Sequence, residues 1–298
     1  MRISVIGCGY LGAVHAAAMA SLGHEVIGID VDEDRIEALR GGIAPFHEPG
    51  LPELLTEAGA TGRLRFSSDI SAAAGASIHF IAVGTPQMHG SNAADLTFVD
   101  AALADLLPHL APGDVVVGKS TVPVGTATRM QEVLAAGAPG AILAWNPEFL
   151  REGFAVKDSL TPDRIVVGLP RDAEAAATAE AMLRDVYADA LATGTPLVLT
   201  DFATAELVKV SANAFLATKI SFINAMAEIA EVTGADVTQL ADAIGFDARI
   251  GRRFLGAGVG FGGGCLPKDI RGFIARAEEL GRAESVAFLK EVDSINLR

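Results

Sequence analysis

The sequence predicts an α/β fold: a Rossmann-like, doubly wound parallel sheet followed by a helical region with one long central helix. Two observations lead to this prediction. Short apolar runs alternate with helical stretches as far as about residue 200, which is typical of a parallel sheet covered by helices. Beyond that point, residues 201–233 contain neither proline nor glycine and are mostly apolar, which predicts a single continuous helix.

Apolar runs bounded by turn residues predict the strands. They lie at residues 3–6, 25–30, 78–83, 115–118, 142–145, 164–169 and, as an edge strand, 197–199. Helices are predicted after the first glycine turn as far as residue 22, and at 97–107, 125–136, 172–187, 201–233, 236–244, 269–280 and 284–298. We therefore expect a first domain over residues 1–200 and a helical second domain over residues 201–298.

Composition narrows the class of protein. Half of the 298 residues are apolar and 20% are charged, which suits two folded domains of ordinary size. The net charge of −14 disfavours nonspecific binding to nucleic acid. Cys8 and Cys265 are the only cysteines, so a disulfide framework is excluded and a cytoplasmic location is expected. No uninterrupted apolar run is long enough to predict a membrane span.

A dinucleotide-binding motif opens the chain. Gly7, Gly9 and Gly12 lie between the first strand and its helix, and Asp30 ends the next strand. These positions place a pyrophosphate on a helix N-terminus and an acid on the ribose hydroxyls. Because a carboxylate repels a 2′-phosphate, the motif predicts NAD rather than NADP. Arg35 is placed to lie over the adenine or to reach a phosphate.

Two further turns end strands at the edge where ligands bind in such sheets. Gly84 and Thr85 end one strand, and Thr121 follows the next one. Thr121 is a candidate to face the nicotinamide. The alternative is that it caps the helix that follows.

Cys265 closes the glycine-rich segment 260–265 and is followed by Lys268 and Asp269. Glycines let a ligand approach the backbone closely. A nearby cation favours the thiolate form of cysteine, and a carboxylate can accept and donate protons. Together with NAD, this arrangement suggests oxidation through a covalent thioester. The alternative is a buried, inert thiol.

Four other polar residues stand out in apolar or cleft positions. Lys209 and Asn213 lie one turn apart in the long apolar helix, where both are costly unless they are paired or used. A desolvated lysine stabilises an oxyanion, although such a lysine also reaches solvent in many helices. Glu148 and Glu152 follow a strand at the cofactor edge. Glutamate usually lies on the solvated surface, but the position of these two beside the cofactor cleft favours a functional role.

Together these segments resemble the UDP-glucose/GDP-mannose dehydrogenase family of nucleotide-sugar 6-dehydrogenases. The resemblance covers the whole chain and rests on an ordered set of motifs. They are FHEPGL at 46–51, VGTP at 83–86, STVPVGT at 120–126, NPEFLREG at 146–153, the segment 209–224, and GFGGGCLPKD at 260–269. Any one of them occurs by chance, whereas the ordered set is highly specific.

The resemblance implies an NAD-dependent four-electron oxidation of a sugar CH₂OH to a carboxylate. Cys265 matches the nucleophile, which forms a thiohemiacetal and then a thioester that water cleaves. Lys209 and Asn213 match groups that stabilise charge on oxygen, Asp269 matches a carboxylate paired with ordered water, and Glu148 matches an acid–base group in hydrolysis. The candidate catalytic residues are Cys265, Lys209, Asn213, Asp269, Glu148 and Thr121.

The same resemblance implies the binding residues. The candidate cofactor contacts are Gly7, Gly9, Tyr10, Leu11, Gly12, Asp30, Arg35, Gly84, Thr85, Thr121, Glu152 and Lys268, and no metal is expected. The candidate substrate contacts are Glu148, Phe149, Leu150, Arg151, Lys209, Asn213, Arg249, Phe261, Gly262 and Cys265. Arg249 matches an arginine that reaches the neighbouring subunit's substrate, so a homodimer through the long helix at 201–233 is expected.

Several alternatives stay open. The segment 212–218 is more similar to the UDP-glucose branch than to the GDP-mannose branch, but other nucleotide sugars remain candidates. A single-step hydroxyacid dehydrogenase and a non-catalytic NAD-binding dimerisation module are competing hypotheses. Family members continue into a further domain that holds much of the nucleotide. We expect that domain to lie outside these 298 residues, which leaves NAD binding intact and substrate affinity in doubt.

Overall fold

The computed structural model describes all 298 residues, in eight strands and twelve α-helices. The strands are β1 Arg2–Ile6, β2 Glu25–Ile29, β3 Leu64–Ser67, β4 Ile78–Ile81, β5 Val115–Gly118, β6 Ile142–Trp145, β7 Ile165–Leu169 and β8 Leu197–Asp201. The helices are α1 Tyr10–Ser21, α2 Glu33–Arg40, α3 Leu51–Ala60, α4 Thr97–Leu106, α5 Thr126–Gly137, α6 Ala155–Leu160, α7 Ala173–Val186, α8 Ala188–Ala192, α9 Phe202–Thr233, α10 Val237–Gly245, α11 Leu266–Glu279 and α12 Ala287–Leu297. Short 3₁₀ helices occupy Ile70–Ala73, Leu107–His109 and Ala283–Val286.

All eight strands form one sheet in the order β3-β2-β1-β4-β5-β6-β7-β8. The six strands from β3 to β6 in this order are parallel, and their order confirms the predicted Rossmann-like fold. The sheet differs from the prediction at one junction, because β7 pairs antiparallel with β6 and then parallel with β8. The connection from β6 to β7 contains only the six-residue helix α6. The chain therefore enters β7 at the same end of the strands at which it left β6, without a crossover connection.

The central strands are apolar because both of their faces are covered. Every residue of β4 and β5 is buried, as expected for a parallel sheet between helix layers. Gly118 ends β5 beneath the indole of Trp145, where a Cβ would lie only 2.2 Å from the ring. Packing of β6 on β5 therefore requires glycine at this position. The apolar pattern predicts no elements between residues 31 and 77, although α2, α3 and β3 lie there.

The contacts between Cα atoms divide the chain into two compact units. The first consists of residues 1–85 and 96–207 and holds the whole sheet; the second consists of residues 86–95 and 208–298. Helix α9 begins in the first unit and continues into the second. Its bounds agree with the predicted long helix to within one residue. None of the helices has the length and apolarity that crossing a membrane requires.

Two helices begin at residues other than the predicted ones. Helix α11 begins at Leu266 rather than at Asp269, because Pro267 occupies the first turn, where a missing N–H costs nothing. The last predicted helix is divided into a 3₁₀ turn and α12, which begins at Ala287. The second unit has its own apolar core, which includes Ile270 and Leu289.

We expect the free energy of unfolding to fall as the pH drops below about 6.5, the ordinary pKa of histidine. His15 of α1 is wholly buried, and this burial, with the nearby Lys119 cation, holds the pKa of His15 well below 6.5. Between that lowered pKa and 6.5 the unfolded chain binds a proton that the folded chain does not. Stability is therefore complete above pH 6.5 and is lost as the pH falls.

Urea unfolding at pH 7.5 and pH 5 measures this effect. His15 alone contributes a loss of up to about 2 kcal/mol between pH 7.5 and pH 5. The variant His15→Leu lacks the titrating group, so its unfolding free energy should fall by correspondingly less. An identical pH dependence in the variant and the unaltered chain would show that His15 does not titrate in this way.

Candidate functional site

The turn after β1 is shaped by glycines. Gly7 has a φ of +90°, and a Cβ at Gly12 would lie 1.7 Å from the carbonyl oxygen of Gly7. Gly9 precedes α1, has no atoms within 4 Å of the place where its Cβ would be, and supplies no side-chain cap. The open N-terminus of α1 therefore offers N–H groups and backbone space to an anion.

Asp30 lies beside this turn at the end of β2. Its carboxylate accepts hydrogen bonds from Cys8 N at 2.7 Å and from Arg35 Nη1 at 2.9 Å. Arg35 also pairs with Asp32 at 3.1 Å. Two carboxylates therefore hold the guanidinium group of Arg35 beside the turn. Cys8 is buried, which raises the pKa of its thiol, in accord with its interpretation as a small packing residue. The open helix end and the neighbouring acid fit NAD.

The loops after β4 and β5 are tied together at the same edge. Thr85 Oγ1 donates to the carbonyl oxygen of Thr121 at 2.8 Å, and Ser120 Oγ donates to that of Val83 at 2.7 Å. Helix α5 starts at Thr126 after Gly125, which supplies no side-chain cap. The interpretation of Thr121 as the helix cap is therefore wrong. Its proposed place at the nicotinamide stays a prediction.

Glu206, which is not among the predicted site residues, takes the place of a cap on α5. Its carboxylate is buried and accepts hydrogen bonds from Gly125 N and Ala127 N, both at 2.7 Å. Glu206 thereby connects the N-terminal part of α9 to the loop that follows Thr121. The signal was present, because Glu206 is an acid in the apolar helix, one turn before Lys209. A charged side chain in an apolar helix is costly unless it is paired, and this holds for Glu206 as it does for Lys209.

Glu148 lines a cavity of about 60 Å³ together with a cluster of buried polar groups. Within this cluster Lys119 Nζ donates to Asn146 Oδ1 at 3.0 Å and contacts Tyr187 Oη at 3.2 Å. Tyr187 Oη donates to Asn146 Oδ1 at 2.6 Å. Glu148 itself accepts a bond of 2.5 Å from Leu150 N. Lys119 was detectable as a cation directly after an apolar strand, whereas nothing local to Tyr187 indicates its role.

The loop after Glu148 is fixed by further contacts. The Phe149 ring centre lies 3.9 Å from the Arg164 guanidinium. Arg151 Nε donates to Asp158 at 2.9 Å, and this contact raises the pKa of Arg151. These contacts connect the loop to Asp158 and Arg164.

Glu48 anchors the end of the same loop. Its buried carboxylate accepts hydrogen bonds from Tyr10 Oη and, at 2.9 Å, from Gly153 N. Glu152, next to Gly153, is exposed. Glu48 lies in one of the motifs that carry the family resemblance, but no role was assigned to it from the sequence.

The second unit holds a compact polar cluster at the start of α11. Cys265 is exposed and immediately precedes this helix, so the interpretation as a buried thiol is wrong. Asp269 in the first turn is buried and accepts bonds from Asn213 Nδ2 at 2.6 Å and Lys268 Nζ at 2.7 Å. Lys209 is only 5% exposed, so it does not extend into solvent. The positive end of a helix next to Cys265 stabilises a thiolate.

The glycine-rich segment before Cys265 is held by Asn296 of α12. Asn296 Oδ1 accepts a bond from Phe261 N at 2.7 Å, and Asn296 Nδ2 donates to Phe261 O at 2.8 Å. Gly260 has a φ of +85°, and a Cβ there would lie 2.4 Å from Asn296 Oδ1. Gly262 has open space around it. Arg249 is exposed and pairs with its neighbour Asp247.

The predicted site residues therefore divide between the two units. The first unit holds Gly7, Gly9, Tyr10, Leu11, Gly12, Asp30, Arg35, Gly84, Thr85, Thr121 and Glu148 to Glu152; the second holds Lys209, Asn213, Arg249, Phe261, Gly262, Cys265, Lys268 and Asp269. Direct contacts join Thr85 with Thr121 in the first unit. In the second they join Asn213, Lys268 and Asp269.

Comparison with known proteins gives two family matches, which together cover most of the chain. Residues 1–191 match the NAD binding domain of the UDP-glucose/GDP-mannose dehydrogenase family, and residues 203–298 match its central domain. The chain belongs to the UDP-glucose/GDP-mannose dehydrogenase family. The resemblance inferred from the ordered motifs is thus confirmed, and so is the prediction of NAD as the cofactor.

Relatives within the UDP-glucose/GDP-mannose dehydrogenase family include UDP-glucose 6-dehydrogenase of Rhizobium meliloti. It is 44% identical over 282 residues, which are 94% of this chain and 64% of that protein. The structure of a UDP-glucose dehydrogenase from Pyrobaculum islandicum is 42% identical with a TM-score of 0.90 and covers 99% of this chain and 67% of that one. A GDP-mannose dehydrogenase from Pseudomonas aeruginosa is 32% identical with a TM-score of 0.77, over 99% of this chain and 68% of that one. The chain spans about two thirds of the length of these relatives.

Proposed function

We propose that the complete protein oxidises UDP-glucose to UDP-glucuronate, with Cys265 as the nucleophile. The observation that carries this proposal is the start of α11, where exposed Cys265 adjoins the buried, hydrogen-bonded Asp269. A thiol at a helix N-terminus beside a positioned carboxylate is suited to covalent catalysis. Relatives named for UDP-glucose, at 44% and 42% identity, support the choice of sugar.

In the oxidation steps, Lys209 and Asn213 act on the sugar oxygen. Bound NAD supplies the hydride acceptor for each of the two oxidations. The side chains of Lys209 and Asn213 lie on one buried helix face, from which they stabilise the negative charge that develops on that oxygen. Their burial strengthens this effect because water does not screen the charge.

Cys265 makes the second oxidation possible. Its thiolate adds to the carbonyl carbon of the aldehyde, and the resulting thiohemiacetal is oxidised to a thioester. Water then attacks the thioester, the C–S bond breaks, and the carboxylate leaves as the thiol is restored. Glu148 exchanges the proton of the attacking water. Asp269 orients an ordered water.

The remaining site residues bind the two ligands. We assign the pyrophosphate and ribose to Gly7, Gly9, Tyr10, Leu11, Gly12, Asp30 and Arg35, and the nicotinamide side to Gly84, Thr85, Thr121, Glu152 and Lys268. We assign the sugar to Phe149, Leu150, Arg151, Phe261 and Gly262. In the first unit, the support is the glycine turn beside Asp30. In the second, it is the open backbone at Gly262.

A homodimer forms part of the proposal. Helix α9 bears an exposed apolar row at seven-residue intervals: Phe215, Phe222 and Ile229 are 67%, 45% and 53% exposed. Such a row is typical of a helix that packs against another helix. A second copy of the chain would cover it. Arg249 is exposed and free of the apolar core, as an arginine that reaches the partner's substrate must be.

The experiment counts the NADH formed for each UDP-glucose consumed by the complete gene product. We expect two NADH per sugar, with UDP-glucuronate as the product, because the mechanism removes four electrons. One NADH per sugar would support a single-step alcohol oxidation in which Cys265 has no role. Turnover with GDP-mannose or another nucleotide sugar, and none with UDP-glucose, would overturn the assignment of the sugar.

A further inference from the structure

Three arginines surround a cleft at the amino-terminal edge of the sheet, the edge away from the cofactor turn. Arg2 begins β1, Arg63 precedes β3, and Arg65 lies within β3. Together with Glu25 of β2 they line a cleft of about 160 Å³. No hydrogen bond or ion pair engages any of the three guanidinium groups.

The strand register places these side chains on one face of the sheet. Arg2 lies opposite Glu25, and Ile27 lies opposite Arg65. Continued by one residue before β3, the same register puts Arg63 opposite Glu25. Because side chains alternate between faces along a strand, all of them project on the same side. The arginines therefore converge rather than scatter around the edge.

This face is open because the connection from β3 to β4 is short. It carries only the 3₁₀ helix Ile70–Ala73, whose Ala72 lines the cleft. Gly75 follows with a φ of +78°, and a Cβ there would lie 3.1 Å from Arg2 Nη1. A small residue and a glycine thus leave room for the guanidinium group.

The charge of the cleft contrasts with that of the chain. The chain has a net charge of −14, and several of its arginines elsewhere pair with acids, as Arg129 does with Asp100 and Arg271 with Asp293. Here three arginines meet a single carboxylate, that of Glu25, so the cleft keeps an excess of positive charge. The planar guanidinium fork matches the oxygens of phosphate.

We propose that this cleft is a second anion site, which binds a phosphate- or diphosphate-bearing small molecule apart from the cofactor turn. The proposal does not depend on the function proposed above. Arg2, Arg63 and Arg65 supply the donors. The carboxylate of Glu25 repels an anionic ligand and therefore limits the negative charge that the cleft can bind.

The test is calorimetric titration of inorganic pyrophosphate into NAD-saturated protein, in which NAD occupies the N-terminus of α1. We expect Arg63→Gln and Arg65→Gln each to weaken binding about tenfold, the effect of losing one charge-assisted hydrogen bond. Glu25→Gln should strengthen binding because it removes the opposing charge. Arg171→Gln is the matched control, since Arg171 is also exposed and unpaired, and its affinity should not change.

Thermal unfolding of each variant checks that the fold is intact, which the exposure of the four side chains favours. No binding by the unaltered protein at low ionic strength would overturn the proposal. A loss in Arg171→Gln equal to that in Arg63→Gln would also overturn it, because nonspecific attraction would then explain the binding. An affinity of Glu25→Gln below that of the unaltered protein would contradict the assigned role of Glu25.

Discussion

Replacing Cys265 with alanine is expected to abolish formation of the sugar acid by the complete gene product, with a loss of about 10³-fold or more in turnover. The thioester cannot form without the thiol, so oxidation cannot proceed from the aldehyde to the acid by this route. Acid is measured by separation of the nucleotide sugars, and NADH by its absorbance.

The second cysteine provides a matched control. Cys8 is wholly buried in the first turn, and burial raises the pKa of its thiol, so it is not a nucleophile. Cys8→Ala should retain acid formation at a rate near that of the unaltered protein. Normal acid formation by Cys265→Ala would refute the covalent mechanism and favour a single-step dehydrogenase.

Gly12→Ala is expected to disrupt both the fold and NAD binding. The added Cβ would lie 1.7 Å from the carbonyl oxygen of Gly7, a distance that no rearrangement of a side chain relieves, because both groups belong to the backbone turn. We expect the free energy of unfolding to fall by about 3 kcal/mol. Urea unfolding and titration of NAD measure the two effects.

Gly9→Ala separates cofactor binding from stability. Nothing lies within 4 Å of a Cβ at Gly9, and its φ of −67° suits any residue. The free energy of unfolding should therefore change by less than about 1 kcal/mol. NAD affinity should fall at least about tenfold, because the methyl group occupies space that the pyrophosphate needs. Unchanged NAD affinity in both variants would show that the turn does not bind the cofactor.

Local patterns were enough to predict much of the fold. The apolar runs of β1, β4 and β5 and the length of α9 are visible in the sequence, since each depends on residues that are close neighbours in the chain. The glycines at 7, 9 and 12 and the position of Cys265 after a glycine-rich segment were visible for the same reason. The ordered motifs then identified the family, which the family models confirm.

Contacts between distant segments were decided only by the tertiary structure. Lys119 meets Tyr187 across 68 residues, and Glu206 reaches Gly125 across 81. Neither pair has a local signature, because which side chains meet depends on how strands and helices pack.

The apolar residues of β7 likewise did not determine the direction of that strand. An apolar run predicts a buried strand equally well whichever way it enters the sheet, and the short connection through α6 set its direction. The sequence by itself thus determined most of the elements and the cofactor turn, and it singled out Cys265, because these signals are local. The tertiary structure determined which polar groups support them, because burial and pairing are properties of the packed chain.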